Sequence, residues 1–79
     1  MDPYQALANA VIMQAVKDYR AAYRRLQRFP RDRLAESVVN EITRFFHSGY
    51  FAVLTTLDGP ALLEKVTEEL EKENQGLRR

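Results

Sequence analysis

The chain has 79 residues, 12 Lys+Arg against 11 Asp+Glu, one histidine and no cysteine. A single domain of this size buries only about 60% of its unfolded surface, so stability is marginal without outside help. With no cysteine and only His47, neither a disulfide nor a zinc site can supply that help, which leaves oligomerisation. The charge is uneven: residues 1–44 hold eight Lys/Arg and five Asp/Glu, whereas residues 45–79 hold four and six. That asymmetry can orient chains in an assembly or offer an anion-binding face. No apolar run approaches the roughly 18 residues of a membrane span, and Asp2 stands where a signal peptide carries lysine or arginine. The expectation is a cytoplasmic protein with no membrane partner and no cofactor.

Taken in chain order, Asp2-Pro3 reads as a helix start, the aspartate accepting from free N–H groups and the proline surrendering a hydrogen without a partner. Ala8, Ile12, Ala15, Tyr19, Ala22, Leu26 and Phe29 recur at alternating spacings of 4 and 3, the rhythm of an apolar helical stripe. Ile12, Ala15, Tyr19, Ala22 and Leu26 are the expected oligomer interface. Pro30 stops the helix, because the residue before a proline is driven from the helical region. Asp32 caps a second helix with its main stripe at Leu34, Val38, Ile42 and Phe45, widened by Ala35, Val39 and Phe46. Two helices around a proline turn make an αα-hairpin.

His47, Ser48 and Gly49 break the pattern, and Ser48 is placed to cap a short helix over residues 50–56. The same segment has strand-like composition, but no second strand is available to pair with it. Asp58, Gly59 and Pro60 open a last, acidic helix. Leu62, Leu63, Val66 and Leu70 lie on its buried side, Glu64, Glu68, Glu69, Glu71 and Glu73 lie outside, and Gly76 ends it; the tail is expected to fray from about residue 74. The sequence therefore predicts one all-α domain over residues 1–79.

Lys17, Arg20, Arg24 and Arg28 fall on one side of the first helix, away from the Ala8, Ile12, Ala15 stripe, and Asp18 is the only acid between Pro3 and Arg31. This ridge reads either as a phosphate-binding surface, with Arg25, Arg31 and Arg33 nearby, or as an ordinary solvated face. Asn9, Gln14 and Asp18 read as exposed polar groups or as parts of an interface. Arg44, His47, Ser48 and Tyr50 lie in the densest aromatic and polar cluster. Arginines and helix N–H groups there suit a nucleotide whose base stacks on Tyr50 or Phe51; alternatively, the phenylalanines are core and Ser48 is only a cap. Arg20, Arg24, Arg44, His47, Ser48 and Tyr50 are thus the candidate ligand contacts. No nucleophile–base arrangement, phosphate loop or metal-ligand spacing is present, so no catalysis is expected. A helix-turn-helix reader is disfavoured because Tyr50 to Leu57 offers no Arg, Lys, Asn or Gln for base edges.

Three phrases, Gln14 to Ala22, Arg44 to Phe51 and Leu54 to Gly59, resemble a group of short open reading frames from phages and prophages of Gram-positive bacteria. Where that pattern more often has arginine before the serine, an acid after it and then tryptophan, this chain has His47, Gly49 and Tyr50. The similarity covers residues 9 to about 63. It implies a setting rather than an activity: compact phage accessory proteins without catalytic residues act by binding, either occluding a host immune protein or sequestering its nucleotide messenger. The leading expectation is a homo-oligomeric anti-defence binder in the bacterial cytoplasm. The alternative is a nucleic-acid-associated regulator that uses the basic face from Lys17 to Arg33.

Overall fold

The computed structural model describes residues 2–77, which form four helices and no strand: α1 (Pro3–Arg28), α2 (Arg33–Phe46), α3 (Gly49–Leu54) and α4 (Gly59–Leu77). Each start is capped as the local sequence dictates. Asp2 accepts from the Tyr4 N–H at 3.0 Å, Asp32 from Ala35 at 3.0 Å, Ser48 from Phe51 at 3.2 Å and Asp58 from Ala61 at 3.1 Å. Phe29 closes α1 by donating its N–H to the Arg25 carbonyl at 2.7 Å, and Asp32 also receives the Arg25 guanidinium across the proline turn. The Ala35 N–H and then Arg25 hold the Asp32 carboxyl below the ordinary aspartate range. The segment expected as a helix over residues 50–56 is helical at Gly49–Leu54 and not a strand, and it stops short of Thr56 because Thr55 turns to extended backbone. Gly76 does not end the last helix: α4 continues to Leu77, past the expected fraying point near residue 74, while the predicted fray of residues 78–79 lies outside the described residues.

α1 and α2 form the antiparallel hairpin, and α4 returns beside α1. Tyr19 meets Thr67 and Tyr23 meets Glu71, so contacts advance together along both helices and α1 and α4 run parallel. The core gathers Ile12 and Tyr19 from α1, Phe46 from α2, Phe51 from α3, and Leu63, Val66 and Leu70 from α4. Phe46 and Phe51 are each only 2% exposed, with ring centroids 5.0 Å apart. A Cβ on Gly59 would run into the Phe46 carbonyl oxygen and come within 2.9 Å of the Phe51 ring. Only glycine lets α4 begin that close to the α2–α3 corner.

Two expectations change here. The stripe Ile12, Ala15, Tyr19, Ala22 and Leu26 is occupied within the chain: Ile12, Tyr19 and Ala22 are buried, and Ala15 and Leu26 are half-buried. Its buried members are therefore spent on packing within the chain. On α2 the buried edge runs through Ala35, Val39, Ile42 and Phe46, and Leu34, read as part of the main stripe, is 82% exposed. Spacing alone admitted either register on that helix, and α1 selects the one through Ala35 and Phe46.

Candidate functional site: an apolar groove with a cationic rim

The stripe Asn9, Met13, Val16 and Arg20 advances by 4, 3 and 4 residues, so these side chains and Lys17 share one flank of α1. α4 and the linker before it bring Leu57 and Leu62 opposite, enclosing a groove of about 500 Å³. Its floor is Ile12, Met13, Val16, Leu57 and Leu62, and its polar rim is Asn9, Lys17 and Arg20. That volume lies within the roughly 300–1,000 Å³ of small-molecule sites, and an apolar lining with a few placed polar groups is their usual chemistry. Among the described residues no carboxylate lines the groove itself, and its charged rim is one ammonium and one guanidinium, the latter 3.5 Å from the Glu69 carboxylate.

Arg20 is the residue whose position is least explained by the fold itself. Its Nη2 lies 3.5 Å from Glu69 Oε2, at the limit of a hydrogen bond, and its Nε is buried with no partner. A buried guanidinium N–H without an acceptor is costly, and it is the 41% exposed remainder of the Arg20 side chain that is open to an anion in the groove. Lys17 has no ion pair among the described residues. Asp18, the one acid near the ridge, is exposed and accepts from Gln14 Nε2 at 2.9 Å. Gln14 is thus the local partner of Asp18, which has no partner from another helix.

Further along α1 the contacts serve α4. Tyr19 donates to Thr67 Oγ1 at 2.7 Å, because the Thr67 hydroxyl hydrogen is committed to the Leu63 carbonyl at 2.8 Å. Tyr23 donates to Glu71 at 3.1 Å; burial first, and then this carboxylate, push its phenol above the usual tyrosine value. Arg24 pairs with Glu73 at 3.0 Å. The ridge from Lys17 to Arg28 is therefore not a uniform solvated face: Arg20 and Arg24 lean toward α4, and only Arg20 also borders the groove.

The other predicted contacts are elsewhere. Ser48 is consumed as a cap, its hydroxyl donating to the Phe45 carbonyl at 2.7 Å while accepting from Phe51. His47 is exposed, with Nδ1 2.9 Å from the Thr43 carbonyl, and Arg44 is exposed on the same corner. Tyr50 lines a separate groove with Tyr4 and Val53, and Arg24 borders a third with Arg28, Phe29 and Glu73. Of the six predicted ligand contacts, Arg20 alone reaches the groove with the cationic rim. The phrase from Arg44 to Phe51 does structural service in Phe46, Ser48 and Phe51, and Asp58 and Gly59 start α4.

The sequence reading missed Asn9 and Met13 as groove residues, and Leu57 and Leu62 as its far wall. A sequence signal exists for the first pair, since Asn9 and Met13 extend the Val16, Arg20 stripe. None exists for Leu57, which reaches the groove only because α4 packs parallel to α1.

No group of His, Asp or Glu among the described residues is arranged to hold a metal, and no helix among them is long and apolar enough to cross a membrane. No family profile, curated protein or solved structure matches this chain. The groove's chemistry therefore carries the functional reading.

Proposed function

We propose that the chain is a non-enzymatic, phage-type accessory protein that acts by binding, and that it counters host defence by sequestering an anionic nucleotide signal. The observation that carries this reading is the groove of about 500 Å³, which joins an apolar floor to Lys17 and to an Arg20 whose buried Nε lacks an acceptor. A flat base stacks on Met13 and Leu57, the Asn9 amide reads a base edge, and the phosphate lies between the ammonium and the guanidinium. Among the described residues, no Ser, Thr, Cys, His or carboxylate lines the groove. A ligand held there meets no nucleophile–base pair and is withheld rather than turned over.

A second reading draws on the end of the hairpin. Arg28, Arg31 and Arg33 have no ion pair among the described residues, and the half-exposed Phe29 ring lies 5.1 Å from the Arg25 guanidinium and 5.8 Å from that of Arg28. An open basic surface with an accessible aromatic suits a sugar-phosphate backbone, which needs no enclosing pocket.

One titration series separates the two. Cyclic and linear nucleotides, and separately a single-stranded oligonucleotide, are titrated into the full chain by calorimetry. The proposal expects one nucleotide class to bind, with Lys17→Ala and Arg20→Ala each weakening it by about tenfold or more, and Arg24→Ala by much less. Binding of the oligonucleotide alone, falling steeply with salt and insensitive to Arg20→Ala, favours the second reading. Absence of binding by every nucleotide contradicts sequestration.

A further inference from the structure

On the flank of α1 opposite the Arg20 groove lies a second surface, which that groove does not explain. α1 has 26 residues and α2 has 14, so at 1.5 Å per residue α1 overhangs its hairpin partner by about 18 Å. On this flank the described residues set against the overhang are those of the six-residue α3, with Thr55 and Thr56 after it. Tyr4 is left 83% exposed, Leu7 65% and Val11 40%, while Tyr50 and Val53 on α3 are 61% and 82% exposed. These five side chains border one groove of about 570 Å³. Pro3 to Val16 contains no charged residue, and the Asp2 carboxylate at the groove's end is engaged by the Tyr4 N–H.

We infer that this face is covered by the same face of a second copy of the chain, related by a two-fold axis. Two-fold pairing sets a surface against itself, so a charged patch would meet its own sign; this face carries no such patch. It also lacks the charge pattern that steers and selects a foreign protein. Protruding Tyr4, Leu7 and Val53 stand beside the groove they border, so each copy supplies both the knobs and the recess that self-complementary docking needs. The five side chains present on the order of 600 Å² per chain, close to the roughly 800 Å² that each partner contributes to a standard stable interface. A 79-residue bundle also gains what it most lacks, additional apolar burial.

Tyr4, Leu7 and Val11 lie about half a turn around α1 from Met13, Val16 and Arg20, and the two grooves share only Asn9, so the dimer is tested through side chains that do not border the Arg20 groove. Sedimentation equilibrium of the full chain over a hundredfold concentration range tests the dimer. The wild type is expected to dimerise, with a melting temperature that rises with concentration. Leu7→Glu and Val53→Glu are expected to give helical monomers by circular dichroism, whereas Leu34→Glu, at an equally exposed leucine elsewhere, leaves the dimer intact. A monomeric wild type across the range overturns the inference. So does a dimer that survives both α1 and α3 substitutions.

Discussion

Between Tyr19 and Leu26, α1 is flanked by α2 on one side and by α4 on the other; between Tyr4 and Val11 the described residues set against it are those of α3 and the linker that precedes α4, and α4 is reached only from Ile12 onward. Both stretches carry the same 4-and-3 apolar rhythm. In the first, Tyr19 and Ala22 are buried; in the second and just beyond it, Tyr4, Leu7 and Met13 are 83%, 65% and 62% exposed. The stripe itself stays buried along both stretches, with Ala8 and Ile12 6% and 5% exposed, so the shorter neighbouring helices uncover the apolar side chains beside the stripe, such as Leu7 and Met13. The under-covered half carries the exposed Tyr4 face on one flank and, on the other, the start of the groove that runs from Asn9 to Arg20. A helix longer than its partners keeps its tertiary structure at one end and offers apolar surface at the other.

Substitutions graded along this contrast should sharpen it. Phe46→Ala, in the centre of the closed region and 2% exposed, is expected to destabilise the fold by about 3–5 kcal/mol, read from the midpoint of denaturant unfolding. Gly59→Ala forces a methyl against the Phe46 carbonyl and the Phe51 ring, at a cost of about 2–3 kcal/mol by the same measurement. Leu7→Ala, on the open half, is expected to change the stability of the dilute monomer by no more than about 0.5 kcal/mol. A Leu7→Ala cost comparable to that of Phe46→Ala would erase the distinction between the two halves.

The same contrast marks what the sequence could reveal. The four helices were legible because their signals are local: the caps Asp2, Asp32 and Ser48, the stop at Pro30, and the Asp58-Gly59-Pro60 start. The use of the apolar stripe was not. Ile12 and Tyr19 can face another chain or this chain's own α4 with identical spacing, and only the parallel return of α4 decides it. The arginines illustrate the same limit. Glu69 and Glu73 are 49 residues from Arg20 and Arg24, so no window along the chain reveals that these cations are spoken for unequally. Ser48 was legible both as a cap and as a ligand contact, and the hydrogen bonds to Phe45 and Phe51 leave it the first role. Arg20 was named from its place on a basic ridge; its significance comes instead from a buried Nε beside an apolar recess.

The most direct test of the sequestration account is calorimetric titration of cyclic and linear nucleotides into the wild-type chain and into Arg20→Ala, which removes the groove's guanidinium, and with it the exposed pair to Glu69, while leaving the buried core untouched. The account predicts a saturable complex with one nucleotide class, and a loss of about tenfold or more in affinity on removing Arg20. Equal affinity in the two proteins, or no complex with either, would contradict it.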